Sequence, residues 1–186
     1  VEEKRAIEYF LAERTGESFR ALFEALCGRL RRYFLLRGLD RATAEDLTQE
    51  VFVKVYRRAG ELREAGRFYG WLFAIARNEM ISHWRREDGA SGQFEFELLD
   101  DLHAESLAIE PEVAPAMRMR DLLSALDPPD HDLIVLRFVE GLSYEELALA
   151  LKLPLGTIKW RIFNARKKLA RIIGASPECR ARQRIN

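Results

Sequence analysis

The segment from Ser143 to Leu169, SYEELALALKLPLGTIKWRIFNARKKL, reads as two short helices joined by a tight turn, and it constrains the fold more than any other stretch. Ser143 with Glu146 three residues on is a capping box, in which hydroxyl and carboxylate each satisfy an amide proton that the first helical turn leaves unpaired. Leu147, Ala148 and Leu151 make the buried side of the first helix, Lys152 to Pro154 break it, and Ile158, Ile162, Ala165 and Leu169 recur at helical spacing on the second. At about 100° per residue, that stripe leaves Trp160, Phe163, Asn164, Lys167 and Arg171 on the opposite side. Two aromatics are therefore expected on a free surface, where an apolar patch marks an interaction site. In a helix-turn-helix the start of the second helix meets base edges in the major groove, which selects Trp160, Phe163 and Asn164. Lys159, Arg161, Lys167, Lys168 and Arg171 supply positive charge along the same helix. Gly156 and Thr157 stand at its entrance, where free amides and the positive end of the helix dipole favour a phosphate oxygen. An ordinary helical hairpin with a basic solvated face is the alternative for this segment alone.

Charge distribution supports the first reading. The 30 basic and 30 acidic residues of the 186-residue chain cancel, but they are unevenly placed. From Gly89 to Ala116 there are seven carboxylates (Glu95, Glu97, Asp100, Asp101, Glu105, Glu110, Glu112) and no Lys or Arg, whereas Lys152 to Arg184 holds ten basic side chains against Glu178 alone. A basic C-terminal lobe fits a polyanion, and the acidic middle would be repelled by one. Cys27 and Cys179 lie far apart with no Cys-x-x-Cys or Cys/His cluster, so neither a disulfide framework nor a metal site is expected, and no cofactor is implied. No apolar run approaches a membrane span and no charged-then-apolar leader is seen, so membrane insertion is not expected and the chain is read as cytoplasmic.

Helical periodicity dominates and no segment alternates with a period of two, so the fold is expected to be all-α: two small helical domains joined by an acidic linker. In the first, Phe19, Leu22, Phe23, Leu26 and Leu30 form one stripe, Leu47, Val51, Phe52, Val55 and Tyr56 a second, and Trp71, Leu72, Ile75 and Ala76 begin a third, enough for a small bundle. Gly-Ala-Ser-Gly, two prolines and the acidic surplus mark a weakly ordered linker. Beyond it, Leu122, Leu123, Leu126, Leu133, Ile134, Leu136 and Val139 supply helices beneath the helix-turn-helix, with Asp130 as a possible N-cap. On the helix from Thr43 to Arg58, the second stripe leaves Asp46, Gln49, Glu50 and Val53 on the opposite arc. An acidic, amide-bearing face with one exposed valine suits a protein partner rather than DNA.

Ala44-Glu-Asp-Leu-Thr-Gln-Glu-Val-Phe52, Phe68-Tyr-Gly-Trp-Leu-Phe-Ala-Ile-Ala-Arg-Asn78, and the run from Leu136 through Glu140-Gly-Leu-Ser-Tyr-Glu-Glu-Leu147 to Arg166 together resemble the extracytoplasmic-function (ECF) group of the sigma-70 family, the dissociable promoter-recognition subunits of bacterial RNA polymerase. The resemblance covers nearly the whole chain between Phe19 and Ile173. It implies a transcription initiation factor, not an enzyme, with residues 1–88 binding polymerase and recognising and melting the minus-ten element. Residues 89–116 would be a flexible linker, 117–175 the domain reading the minus-thirty-five element, and 176–186 a basic tail. The Asp46/Gln49/Glu50/Val53 face is similar to the surface that grips the polymerase β′ clamp helices. Phe68 and Asn78 are implied near a pocket that receives a flipped base, with Arg77, Arg85 and Arg86 on the DNA backbone, and contacts that offset about a few kcal/mol of lost stacking. The resemblance further implies core polymerase (β′ clamp and β subunits), promoter DNA and an anti-sigma factor as partners, and the linker's seven carboxylates without a basic residue suggest that it lies in a positively charged polymerase channel. Lys152 occupies a turn where many relatives carry glycine, a position expected to cost little while φ stays negative. Trp160 and Asn164 stand where smaller or basic side chains are frequent, so the promoter sequence read is left open. A stand-alone helix-turn-helix regulator and a recombinase remain as alternatives. The first leaves the Asp46/Gln49/Glu50 face unexplained, and the second lacks an evident nucleophile or carboxylate metal cluster.

Overall fold

The computed structural model describes residues 2–62, 64–87 and 119–175, with side chains from 122 to 173 in the last stretch. The acidic segment 89–116 and the basic tail 176–186 lie outside the described residues, and every described element is helical.

The first lobe has four helices. α1 (Glu2–Glu13) buries Ala6, Ile7 and Phe10, an apolar spacing too short to stand out as a stripe. α2 (Gly16–Leu36) starts at Thr15, whose hydroxyl accepts from the Ser18 amide at 3.2 Å while Ser18 Oγ accepts from the Thr15 amide at 3.0 Å. It ends where Gly38 takes φ +88, letting the Leu39 amide reach the Phe34 carbonyl at 3.2 Å, a left-handed cap that favours glycine. α3 (Arg41–Arg58) is capped by Asp40, which accepts from the Thr43 amide at 3.0 Å, so Thr43 lies inside the first turn instead of opening the helix. α4 (Phe68–Glu87) follows two short 3₁₀ turns.

Leu22, Leu26 and Leu30 of α2 meet Val51, Phe52 and Val55 of α3 and Leu72, Phe73 and Met80 of α4 in one core. Edge-on ring pairs tie these helices together, Phe23 on Phe52 at 4.8 Å and Tyr33 on Phe73 at 5.4 Å, the geometry that ring quadrupoles prefer. Tyr56, expected on the buried stripe, is instead 49% exposed, with one edge against Phe19.

The second lobe comprises α5 (Met119–Ser124), α6 (Pro128–Ile134), α7 (Tyr144–Leu151) and α8 (Leu155–Ala175), with a single π turn, Val135–Val139, extending α6. Asp127, not Asp130, is the N-cap residue of α6, because Pro128 and Pro129 suit the first turn, whose amides have no helical acceptor. The capping box of α7 is formed: the Ser143 amide donates to Glu146 Oε2 at 2.8 Å and the Glu146 amide to Ser143 Oγ at 3.1 Å. Lys152 ends α7 at φ 56, ψ 41. The expectation of a negative φ at Lys152 is therefore wrong: the chain reverses within a few residues before α8, and the left-handed conformation supplies that reversal.

The two lobes are docked. α4 lies along α7, and the apolar core runs continuously from Ile7 through Met80 to Leu169. Gly70 permits the approach, since a Cβ there would sit 2.7 Å from the Glu146 carbonyl oxygen.

Candidate nucleic-acid interface

On α3 the side chains of Asp46, Gln49 and Glu50 are exposed and Val53 is 48% exposed. Leu47, Val51, Phe52 and Val55 are buried on the other side of the same helix. The face therefore has an acidic and amide rim around an apolar centre formed by Val53 and its exposed neighbour Tyr56. Glu50 is also 3.9 Å from Arg86 of α4, a weak contact between largely exposed groups. Deeper between the same helices, Lys54 Nζ holds Glu79 Oε1 at 2.5 Å.

α4 separates the residues expected at the minus-ten element into two sets. Asn78, Arg85 and Arg86 are exposed along its C-terminal half. Phe68 is fully buried beside Tyr69 and Trp71, so it shapes the start of α4 from inside and lines no open pocket in this arrangement. Arg77 is also turned inward and only partly exposed, its Nε donating to Asp132 Oδ2 at 3.2 Å. The two corrections have different causes: Phe68 packs into the core at the start of α4, whereas Arg77 is drawn inward by Asp132 of α6.

α8 presents a graded surface. Ile158, Ile162, Ala165 and Leu169 are buried as a stripe, contributing about 1.5–3 kcal/mol for each large side chain. Lys159, Lys167, Lys168 and Arg171 are exposed, and Gly156 is exposed at the helix entrance. Trp160, Phe163 and Asn164 are half-buried, not fully exposed as the helical projection implied. Thr157 is only 7% exposed, and Arg161 is drawn aside by Asp130 at 3.1 Å. Lys168 reaches Asp127 at 3.5 Å but remains 44% exposed. Burial raises the pKa of Asp130, and the Arg161 hydrogen bond opposes that rise. Phe138, 51% exposed, sits under Arg166, with the guanidinium carbon 5.8 Å from the ring centroid.

Two further charge clusters, marked by no local sequence pattern, lie between the lobes. Asp132 of α6 is 2.8 Å from Arg37 Nε, accepts from Arg77, and accepts from Tyr33 Oη at 3.0 Å. Burial, followed by the Asp132 charge, pushes the Tyr33 pKa far up. Glu140, just beyond the π turn, accepts from both ends of the Arg32 fork at 2.9 Å and from Arg29 Nε at 3.0 Å, while its carbonyl accepts from Arg29 Nη2. Burial works against the Arg29 charge, but hydrogen bonds to Glu140 and Glu3 prevail and raise its pKa. Tyr69, donating to Glu3 at 2.8 Å, is pushed up to about 12, first by burial and then by that hydrogen bond. Among the described residues no group of three His, Cys, Asp or Glu side chains is placed to hold a metal, and no helix is long and apolar enough to cross a membrane.

Residues 19–89 match the Sigma-70 region 2 model and residues 116–169 the Sigma-70 region 4 model. The chain is 33% identical over 166 residues to the ECF RNA polymerase sigma factor BldN of Streptomyces coelicolor, a match covering 85% of this chain and 61% of BldN. It is 34% identical to the RNA polymerase sigma-H factor of Pseudomonas aeruginosa, covering 70% of this chain and 72% of that one. It is 30% identical to the ECF RNA polymerase sigma-E factor of Haemophilus influenzae, covering 86% and 91%. Among solved structures, it is similar to the sigma factor RpoE bound to the anti-sigma factor NepR from Bartonella quintana, at 25% identity and TM-score 0.63 over 86% of this chain and 99% of that one. CnrH in complex with the cytosolic domain of CnrY shares the fold, at 21% identity and TM-score 0.66 over 95% and 99%. Two family regions in order, on two helical lobes, together with these relatives, place the chain in the ECF group of the sigma-70 family.

Proposed function

We propose that the chain is an alternative sigma subunit that binds core RNA polymerase, directs it to a promoter and opens the minus-ten element, without catalysing a reaction itself. The observation that carries this is the pairing, in one chain, of an exposed acidic face with an apolar centre on α3 and a basic recognition helix α8. A stand-alone DNA regulator needs only the second. Asp46, Gln49, Glu50 and Val53 are assigned to the β′ clamp, with the β subunit as a further contact of the assembled complex. Asn78, Arg85 and Arg86 are assigned to the minus-ten strand, with Arg77 joining them once released and Phe68 supporting the pocket from behind. On α8, Trp160, Phe163 and Asn164 are assigned to base edges and Gly156, Lys159, Lys167, Lys168 and Arg171 to phosphates. Thr157 and Arg161 fix the helix entrance from its buried side. Because the similar RpoE is seen in complex with the anti-sigma factor NepR, an anti-sigma factor is the proposed regulator, acting in the cytoplasm.

In vitro transcription with core polymerase and genomic fragments tests the reading. Transcripts that start at defined sites only when the chain is added support it. Tight duplex binding by the chain alone with no polymerase-dependent initiation would favour a regulator, and strand cleavage a recombinase.

A further inference from the structure

The basic side chains on both flanks of α8 are turned towards neighbouring elements. Arg161 donates to Asp130 at 3.1 Å, and each of the two side chains is only 16% exposed. Two turns further along the same flank, Lys168 meets Asp127 at 3.5 Å. Across the helix, Arg166 lies over Phe138, and Lys159 stands 6.0 Å from the Tyr144 ring centroid. Trp160, Phe163 and Asn164 are left between these flanks, half-buried but open to a ligand. Asp130 is itself firmly placed. It is the third residue of α6, after Asp127 as N-cap residue and Pro128 and Pro129, and proline locks the backbone of that first turn.

A carboxylate in the first turn is favoured by the helix dipole whatever it touches, so the consequence of Asp130 lies in its partner. Arginine reads guanine, whose major-groove O6 and N7 both accept from the guanidinium fork, whereas adenine sets a donor beside N7. Asn164 suits adenine, and the rings of Trp160 and Phe163 suit a thymine methyl. Residues three apart on a helix are neighbours, with Cβ atoms about 5–6 Å apart. Arg161, three residues before Asn164, would therefore reach the adjoining base pair if nothing held it. We propose that Asp130 is a positioning residue for promoter recognition: by holding Arg161 against α6 it keeps a guanine-reading fork off the base edges, so that the pairs facing the start of α8 are selected as A·T. The setting of α8 in the major groove is that of the sigma reading, on which this assignment rests. Without Asp130, the largely buried guanidinium is left with an uncompensated charge. It then turns to the acceptors of bound DNA, of which guanine offers two in the matching geometry.

The test takes a promoter selected from genomic fragments by the full chain with core polymerase, and varies its minus-thirty-five element one base pair at a time. Competition binding to these duplexes gives the preference at each position. Asp130→Ala should raise the preference for guanine by about 5- to 100-fold at a pair adjoining the one where Asn164→Ala acts. Asp130→Ala combined with Arg161→Met should lose that gain, and Asp130→Glu, which keeps the carboxylate, should retain the parent's preferences. Asp130→Ser, whose hydroxyl suits a helix start but is too short to hold Arg161, decides the matter if the alanine variant does not fold. A folded alanine or serine variant with the parent's preferences, or with binding changed equally for every sequence, overturns the role given to Asp130. So does a gain in guanine preference that survives the removal of Arg161. A parent chain that captures no promoter with core polymerase counts against the sigma reading, and the same scan on duplexes selected by the chain alone then judges Asp130 by itself.

Discussion

Lys152→Gly is expected to stabilise the second lobe by about 0.5–1 kcal/mol. Lys152 holds φ 56 with a Cβ, and left-handed backbone costs an ordinary residue about 1–2 kcal/mol. Glycine removes that strain but gives up about 0.4–1 kcal/mol through the greater freedom of the unfolded chain. The side chain is exposed, and the backbone bonds of the turn, from the Lys152 and Leu153 amides to the Ala148 carbonyl, are kept by the substitution. Little else should change. Urea titration and calorimetry should show a rise in midpoint, with roughly 2–4 °C per kcal/mol for a chain of this size. Lys152→Ala is the control: it keeps the Cβ and should gain nothing. A glycine variant no more stable than the parent, or an alanine variant that matches it, would refute the strain argument.

Asn164→Ala should change base preference within the minus-thirty-five element by about 1–3 kcal/mol, whereas Lys167→Ala should weaken all sequences alike and lower the salt slope by about one unit; binding titrations on a set of duplexes at several salt concentrations separate the two. Asp46→Arg with Gln49→Ala should abolish capture by core polymerase while leaving helicity and melting unchanged, because both side chains are exposed, and normal capture by the folded variant would remove the α3 assignment. His131 is pushed down to about 4, first by burial and then by the Arg37 charge, against the opposing influence of Asp132 and the Leu36 carbonyl. Its folded value lies below the ordinary 6.5, so the unfolded chain binds more protons between them and stability should fall as pH drops from about 6.5 towards about 4. His131→Gln should flatten that part of a urea-midpoint profile, and an equally steep profile in the variant would assign the slope to other groups.

The helix-turn-helix was legible because its signals are local. The Ser143/Glu146 box and the α8 stripe depend on residues three or four apart, and both stand in the structure as written. The exposed α3 face was legible for the same reason. What escaped depends on distant partners. Nothing near Asp132 or Glu140 in sequence indicates that their partners lie far upstream, as the separations of 55 to Arg77, 99 to Tyr33 and 111 to Arg29 show. Gly70 looked like any small residue inside a helix, and only the close approach of α7 gives it a purpose. Phe68 and Arg77 were placed by the resemblance at a DNA surface, yet the docked lobes bury one and pair the other. Half-burial of Trp160 and Phe163 likewise follows from the lobe around α8, which a helical projection cannot include.

The proposed function of this chain is to give core polymerase the capacity to open a promoter. It is tested most directly by placing 2-aminopurine in the non-template strand of the minus-ten element of a promoter identified by transcription, and following its fluorescence as core polymerase and the chain are added. A rise is expected, as the base leaves the stack, only when both are present, and its loss with Asp46→Arg and Gln49→Ala. A rise with the chain alone, or no rise with both although the duplex is bound, would contradict it.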